Sequence, residues 1–143
     1  MGDGPEACCA WAQRAASIRW MNARPEGPFP CPCCGHLVFD EPPGSYDICP
    51  VCFWEDDISQ LRWPDSPGGA NRPSLIEAQR NVRRWGAIEE RFVADVRRPS
   101  PSEPLDPPWR PFDPDLDEIE PRLSGHDYGT SYASDPTSYF YWR

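Results

Sequence analysis

Cys31-Pro32-Cys33-Cys34-Gly35 and Cys49-Pro50-Val51-Cys52-Phe53 repeat one pattern, Cys-Pro-x-Cys, with fourteen residues between the pairs. Two residues between paired cysteines let a tight turn aim both sulfurs at one ion, and a second such turn completes a tetrahedral shell. The spacing therefore predicts one metal site made by Cys31, Cys34, Cys49 and Cys52. Zn2+ in a structural role is the expected occupant, because four protein ligands leave no coordination position for a substrate. Iron in the same thiolate shell is the alternative, and would make a rubredoxin-like electron carrier. A thioredoxin-like redox pair fits less well, since it needs a single Cys-x-x-Cys at a helix start in a βαβ setting.

Cys33 is the extra sulfur of the first turn. A register that used it would leave one residue or none before its neighbour, too tight for the usual chelate, so it is expected to point away from the ion. A structural or surface thiol is favoured over a redox-sensitive one. Cys8 and Cys9 are read as unpaired thiols in a loose segment, and His36 as the start of a strand that hydrogen-bonds outward.

Outward from the pairs, Leu37 and Phe39 alternate with Val38 and Asp40, Pro42-Pro43-Gly44-Ser45 forms a turn, and Tyr46 and Ile48 flank Asp47. This reads as a hairpin between two knuckles, with Phe53 and Trp54 roofing the site. Pro64 to Pro73 is a loop. Ser74 and Glu77 then make a capping box for a helix of about three turns, with Leu75, Ala78, Val82 and Trp85 as its apolar stripe and Gly86 as its stop. Ile88, Phe92, Val93 and Val96 suggest a second short helix ended by Pro99. Residues 99–112 read as an extended Pro-rich strap, and Ser138–Trp142 as a terminal strand docked on a sheet edge or a partner.

The expected fold is thus small α+β: a zinc-ribbon-like β-hairpin module, one or two packed helices, and a Pro-rich acidic C-terminal extension. Residues 1–27 form a weakly ordered leader, for which Met21 is an alternative start. Residues 28–112 form the cysteine-rich domain (ribbon 28–66, helical part 74–98, strap 99–112), and 113–143 an acidic, then aromatic, tail. With 38% apolar residues and twenty prolines in 143, the core must be small, and small cores lean on staples such as a metal.

The net charge is −9. Residues 28–71 and 99–143 each carry −6, while residues 72–98, with seven arginines and four acids, carry +3. Such a surface repels a phosphate backbone, so nucleic-acid binding is disfavoured. Internal charge pairing is the expected use of Arg80, Arg83, Arg84 and Arg91. Glu55-Asp56-Asp57 beside Trp54 is read as a solvated turn. The alternatives are pairing with Arg80, Arg83 or Arg84 to dock the helix, or a surface for a basic partner or a second cation. No run of eighteen apolar residues occurs, so no membrane span is expected. Seven cysteines without a signal-like start fit a reducing cytoplasm.

The runs Pro28-Phe29-Pro30-Cys31-Pro32-Cys33-Cys34-Gly35 and Glu41-Pro42-Pro43-Gly44-Ser45-Tyr46-Asp47-Ile48-Cys49-Pro50-Val51-Cys52-Phe53-Trp54-Glu55-Asp56-Asp57 resemble the bacterial cysteine-rich CPCC domain family. Gly68-Gly69-Ala70-Asn71, Ser74-Leu75, Glu77-Ala78-Gln79-Arg80-Asn81, Gly86-Ala87, Arg98-Pro99 and Asp106-Pro107-Pro108-Trp109 extend the likeness over about residues 28–112. The resemblance implies a small zinc-ribbon-like module with no assigned activity. His126-Asp127 is weak evidence of catalysis and reads as loop, and the lack of a Gly-rich phosphate loop and of a Ser-His-Asp set points away from an enzyme. The function expected is protein–protein interaction, with no small-molecule substrate. One form of it is an antitoxin- or immunity-type protein whose acidic face covers a cationic nuclease.

Overall fold

The computed structural model describes residues 27–122 and 131–143. The leader with Cys8, Cys9 and Met21, and the His126-Asp127 pair, lie outside these residues. In chain order the elements are strands β1 (Phe29–Pro30) and β2 (Leu37–Phe39) and helices α1 (Ile58–Arg62) and α2 (Leu75–Trp85). Short 3-10 helices follow at Glu90–Asp95 and Pro136–Tyr139. The small α+β class read from the sequence holds.

The strand pairing differs from the expected hairpin. β1 pairs antiparallel with β2, so the ladder encloses the first cysteine turn and does not join the two turns. The second turn is enclosed in the same way, by a bridge between Ile48 and Glu55. Tyr46 and Ile48 are consequently exposed, not packed against Leu37 and Phe39. The β1–β2 ladder stays short for a local reason: Pro30 has no N–H to give, and the register breaks between Phe29 and Pro30.

The Pro-rich strap adds a third line of pairing at the edge of β2. Leu37 N–H donates to the Pro104 carbonyl (2.9 Å) and Asp106 N–H to the Gly35 carbonyl (2.8 Å), around a His36–Leu105 bridge. Because a carbonyl can only accept, His36 Nδ1 donates to Glu103 O at 2.9 Å, the outward bond expected of that histidine.

α2 forms as its sequence dictates. Ser74 Oγ accepts from Glu77 N–H (3.1 Å), and Gly86, at φ 89°, ends the helix in the left-handed region. Leu75 and Ala78 are fully buried. The second helix expected around Ile88 is a 3-10 segment with Ile88 buried ahead of it and Val93 exposed. α1 was not foreseen. Asp57 caps it, with Oδ1 accepting from Ser59 N–H (2.8 Å) and Gln60 N–H (3.3 Å). The loop behind it is secured by buried amides. Gln60 Nε2 donates to the carbonyls of Ser66, Asn71 and Pro73, and Asn71 Nδ2 donates to Gln60 Oε1 (2.9 Å).

Ser138–Trp142 is not a strand. The chain turns through Pro136–Tyr139, and Phe140 and Trp142 enter the same core as the cysteines. Proline at the segment's start and the Asp135 carboxylate accepting from Thr137 N–H (3.0 Å) favour the turn over extended pairing. Trp142 Nε1–H donates to buried Asp106 Oδ2 (2.8 Å), so the indole has a partner for its polar end. Arg62 holds the approach to this segment, bonding Glu120 through both Nε (2.8 Å) and Nη2 (3.0 Å) and Ser131 Oγ through Nη1 (2.9 Å). Its guanidinium stacks over Trp63, Tyr132 and Tyr139.

The aromatic terminus is therefore part of the core. Trp142→Ala should destabilise the metal-loaded protein by roughly 3–5 kcal/mol in chemical denaturation, from the cavity and the lost indole bond to Asp106, which would keep only Arg143. A change of about 0.5 kcal/mol or less, typical of a surface site, would show the segment to be peripheral.

Candidate metal centre

The two Cys-Pro-x-Cys turns fold identically at the backbone. Cys31 O accepts from Gly35 N–H (2.7 Å) and Cys49 O from Phe53 N–H (2.8 Å). Cys31 N–H donates to His36 O (2.9 Å) and Cys49 N–H to Trp54 O (2.8 Å). Each turn must pass through the left-handed region at its fifth residue, where Gly35 has φ 82° and Phe53 φ 76°. Glycine fits the first turn for two reasons. It adopts this φ freely, and any Cβ there would run into the Trp109 indole. Phe53 accepts about 1 kcal/mol of strain, offset by stacking of its ring on Phe92 at 4.1 Å between centroids.

These turns bring Cys31, Cys34, Cys49 and Cys52 together, with all four sulfurs within 4.8 Å of one another. Cys31 Sγ lies 3.6 Å from Cys52 Sγ, and Cys34 Sγ 3.8 Å from Cys49 Sγ. These are far beyond disulfide length. They match the edge of a thiolate tetrahedron, about 3.8 Å for metal–sulfur bonds of about 2.3 Å. All four residues are buried, and Val51 N–H donates to Cys49 Sγ (3.4 Å), the kind of bond that supports a thiolate. The four cysteines are thus positioned to bind a metal ion.

Their acid–base state leads to the same conclusion. Burial pushes the Cys31 and Cys52 thiols up, and the neighbouring sulfurs add to the rise. Hydrogen bonds from Cys31, Cys34 and Cys52 hold Cys49 well below the usual thiol range. Thiolates at Cys31 and Cys52 in so dry a site require a cation beside them.

Cys33 is not at the surface. It is almost fully buried in the core, and burial pushes its thiol up, which makes it an unreactive apolar filler beside the centre.

Trp54 is fully buried in the same core cluster, while Asp56 and Asp57 are buried at 2% and 5% exposure. The solvated turn expected for Glu55-Asp56-Asp57 does not form, and the docking of α2 arginines on it is not seen. The acids hold loops instead. Glu55 exchanges backbone bonds with the Asn71 side chain, its N–H donating to Oδ1 (2.9 Å) and its carbonyl accepting from Nδ2 (2.8 Å). Asp56 Oδ2 accepts from Ser45 Oγ (2.8 Å), and Asp57 Oδ2 from Ala70 N–H (2.9 Å). Burial pushes the Asp56 carboxyl up to about 6, against the opposing pull of Ser45.

The supporting shell contains a residue whose role the sequence reading did not identify. Gln79, 2% exposed, donates from Nε2 to the Pro32 carbonyl of the first turn (3.0 Å) and to Tyr141 Oη (2.8 Å). Its Oε1 accepts from Phe112 N–H (2.9 Å), and Tyr141 passes its proton-donor bond to the Arg110 carbonyl (2.7 Å). Every polar atom of its amide is used, tying the first turn, α2, the strap and the C-terminus together. The available signal was a polar residue beside Ala78, on the apolar stripe of an otherwise amphipathic helix.

Serine at any one of Cys31, Cys34, Cys49 or Cys52 should abolish stoichiometric metal binding and unfold the domain, since such sites supply on the order of 10 kcal/mol of folding free energy. Cys33→Ser should retain one ion per chain by native mass spectrometry, with reduced stability from burying a hydroxyl. Metal loss in Cys33→Ser with retention in Cys34→Ser would reassign the ligands. Asp56 gives a pH signature. Because its folded carboxyl titrates near 6 and the unfolded one near 4, the native state binds the proton more tightly. Stability relative to Asp56→Asn should therefore fall by roughly 2–3 kcal/mol as pH rises from about 4 to 7. A flat or rising difference would show that Asp56 is ionised without penalty.

Comparison with known proteins agrees with this geometry. No curated protein matches the chain. A family model described as Cysteine-rich CPCC matches residues 29–103, more than half of the 143 residues and all four metal-site cysteines. Trp109, Phe140 and Trp142, which complete the core, fall beyond the matched segment. The chain belongs to the cysteine-rich CPCC family.

Proposed function

We propose that this protein is a non-catalytic protein–protein interaction module in which Cys31, Cys34, Cys49 and Cys52 hold one structural Zn2+. The observation that carries the reading is a complete shell of four buried sulfurs. An ion there has four protein ligands and no position for substrate or water, so it cross-links the chain and activates nothing. Four soft thiolates select zinc or iron over hard cations. Burial of the ligands in one core with Phe29, Trp54 and Trp142 suits an ion that holds the fold more than one that must exchange electrons at the surface.

Among the described residues this is the one cluster of metal-type ligands, and no helix is long and apolar enough to cross a membrane. Five free cysteines in the described residues are consistent with a reducing compartment such as the cytoplasm. An acidic chain of −9 disfavours nucleic acid as the partner.

The purified protein should be colourless and carry one zinc ion per chain by native mass spectrometry. A strong chelator should abolish its folded signal in circular dichroism. A visible thiolate-to-iron absorption band from protein made in the native host would replace zinc with iron and the interaction module with an electron carrier. A compact chain indifferent to chelation would remove the metal from the fold altogether.

A further inference from the structure

Most arginines of the described residues are paired with a carboxylate, and most of the exceptions cluster on α2. Arg62 pairs with Glu120, Arg72 and Arg91 with Glu89, Arg97 with Glu103, Arg110 with Asp117, Arg122 with Asp65, and Arg143 with Asp106. Arg80 and Arg83 of α2 have no carboxylate partner among the described residues, although the chain carries −9. The internal pairing expected for them from sequence is absent. Both are exposed, and both line a groove of about 470 Å3 between α2 and the strap at residues 110–114. Beside them Arg84 stacks over Trp85 with its guanidinium 4.8 Å from the ring.

The groove is fixed in shape. Its floor is Phe112, buried and held by Gln79 through the Phe112 N–H, and its lip is the Arg110–Asp117 pair, with two bonds of 2.6 Å. Ile76 and Pro114 add apolar wall, and Asp113, the one acid of the lining, accepts from Asp115 N–H at Oδ1 (2.9 Å). A preformed concave surface with two guanidinium groups that have no ion-pair partner among the described residues lowers the ordering cost of an anionic ligand.

We infer that this groove docks an extended acidic segment of a partner protein, with carboxylates seated on Arg80 and Arg83. The inference rests on reading the protein as an interaction module and gives that module a face and a partner chemistry. Arginines three apart on a helix stand about 5–6 Å from each other at Cβ. Alternate side chains of an extended segment are about 7 Å apart on one side. Acids at alternate positions therefore meet both guanidinium groups at once. A nucleic-acid strand fits less well: its charge continues beyond the groove into segments that carry −6 on either side.

The test uses the full metal-loaded chain and a short fluorescein-labelled peptide of alternating glutamate and threonine, by anisotropy at physiological salt. Binding should weaken about tenfold or more in Arg80→Ala/Arg83→Ala, a loss of about 1.4 kcal/mol or more. Metal content and melting temperature should stay unchanged in that variant, and Arg97→Ala should bind as the wild type does. Failure of the peptide to bind, or equal binding by the double variant, overturns the inference. So does stronger binding of an oligothymidylate through the same two arginines, or self-association that the double variant abolishes. Crosslinking in the native host separates this face from the broader reading. A partner captured equally by wild type and by Arg80→Glu/Arg83→Glu overturns the groove and leaves the interaction role standing. Peptide binding that depends on the arginines, with no partner captured by either form, supports the groove and counts against the interaction role.

Discussion

Four buried sulfurs within 4.8 Å of one another can coexist as thiolates only around a cation, and the rest of the molecule is arranged around that constraint. A buried charge without compensation is among the most expensive things a fold can contain. Here burial disfavours ionisation of Cys31 and Cys52 until an ion arrives, so occupancy of the site and burial of the sulfurs are one event. The two backbone turns prepare for it. Their matched hydrogen bonds set the direction of each pair of sulfurs, and the ion would join the two halves.

The remaining segments attach to these turns at their backbone, which transmits the constraint outward. The strap bonds Gly35 O, and α2 reaches Pro32 O through Gln79. Ile88 N–H donates to Cys52 O (2.9 Å) and Arg97 N–H to Pro50 O (3.1 Å), so the segment after α2 closes over the second turn. Trp109 Nε1–H adds a second donor to Pro32 O at 3.1 Å. Carbonyls that would otherwise be stranded beside a dry metal centre are satisfied by distant parts of the chain. Loss of the ion would free both turns and with them the acceptors that these segments use, so metal release and global unfolding should be cooperative in this protein.

How much of this could be read beforehand divides along physical lines. The ligand set was legible because chelation by a tight turn depends on local spacing alone. The start and stop of α2 were legible because Ser74, Glu77 and Gly86 act on their own backbone. The strand pairing was not: alternation at Leu37–Phe39 and at Tyr46–Ile48 marks extended chain without saying which neighbour it meets, and each run pairs across its own cysteine turn. Glu55-Asp56-Asp57 misled for a related reason. Composition places consecutive acids in water, yet Asp56 and Asp57 sit where loop N–H and hydroxyl donors converge, and those donors arrive from Ser45 and Ala70. The aromatic terminus had strong β propensity, but tertiary burial of Phe140 and Trp142 decided its conformation. α1 was hidden by its length, since five residues are too few for a periodic pattern and its cap was one of the acids read as solvated.

Charge gives the last step. A protein with nine excess negative charges would be expected to meet its surroundings through its acids. Burial and pairing withdraw part of that acidic surface, while Asp40, Glu41, Asp47 and Glu90 stay exposed. Asp56, Asp57 and Asp106 are withdrawn into the fold, and Glu89, Glu103, Asp117 and Glu120 are each held by an arginine. On α2, Arg80 and Arg83 face the groove beside the stacked Arg84, and Glu77 is the helix's one acid. Long-range repulsion and short-range attraction then oppose each other at this face. In the proposed docking the first would disfavour extended polyanions, and the second would reward a compact acidic segment that can reach between the helix and the strap. Selectivity of this kind needs no chemistry at the metal, which fits a centre whose four ligands are all turned inward.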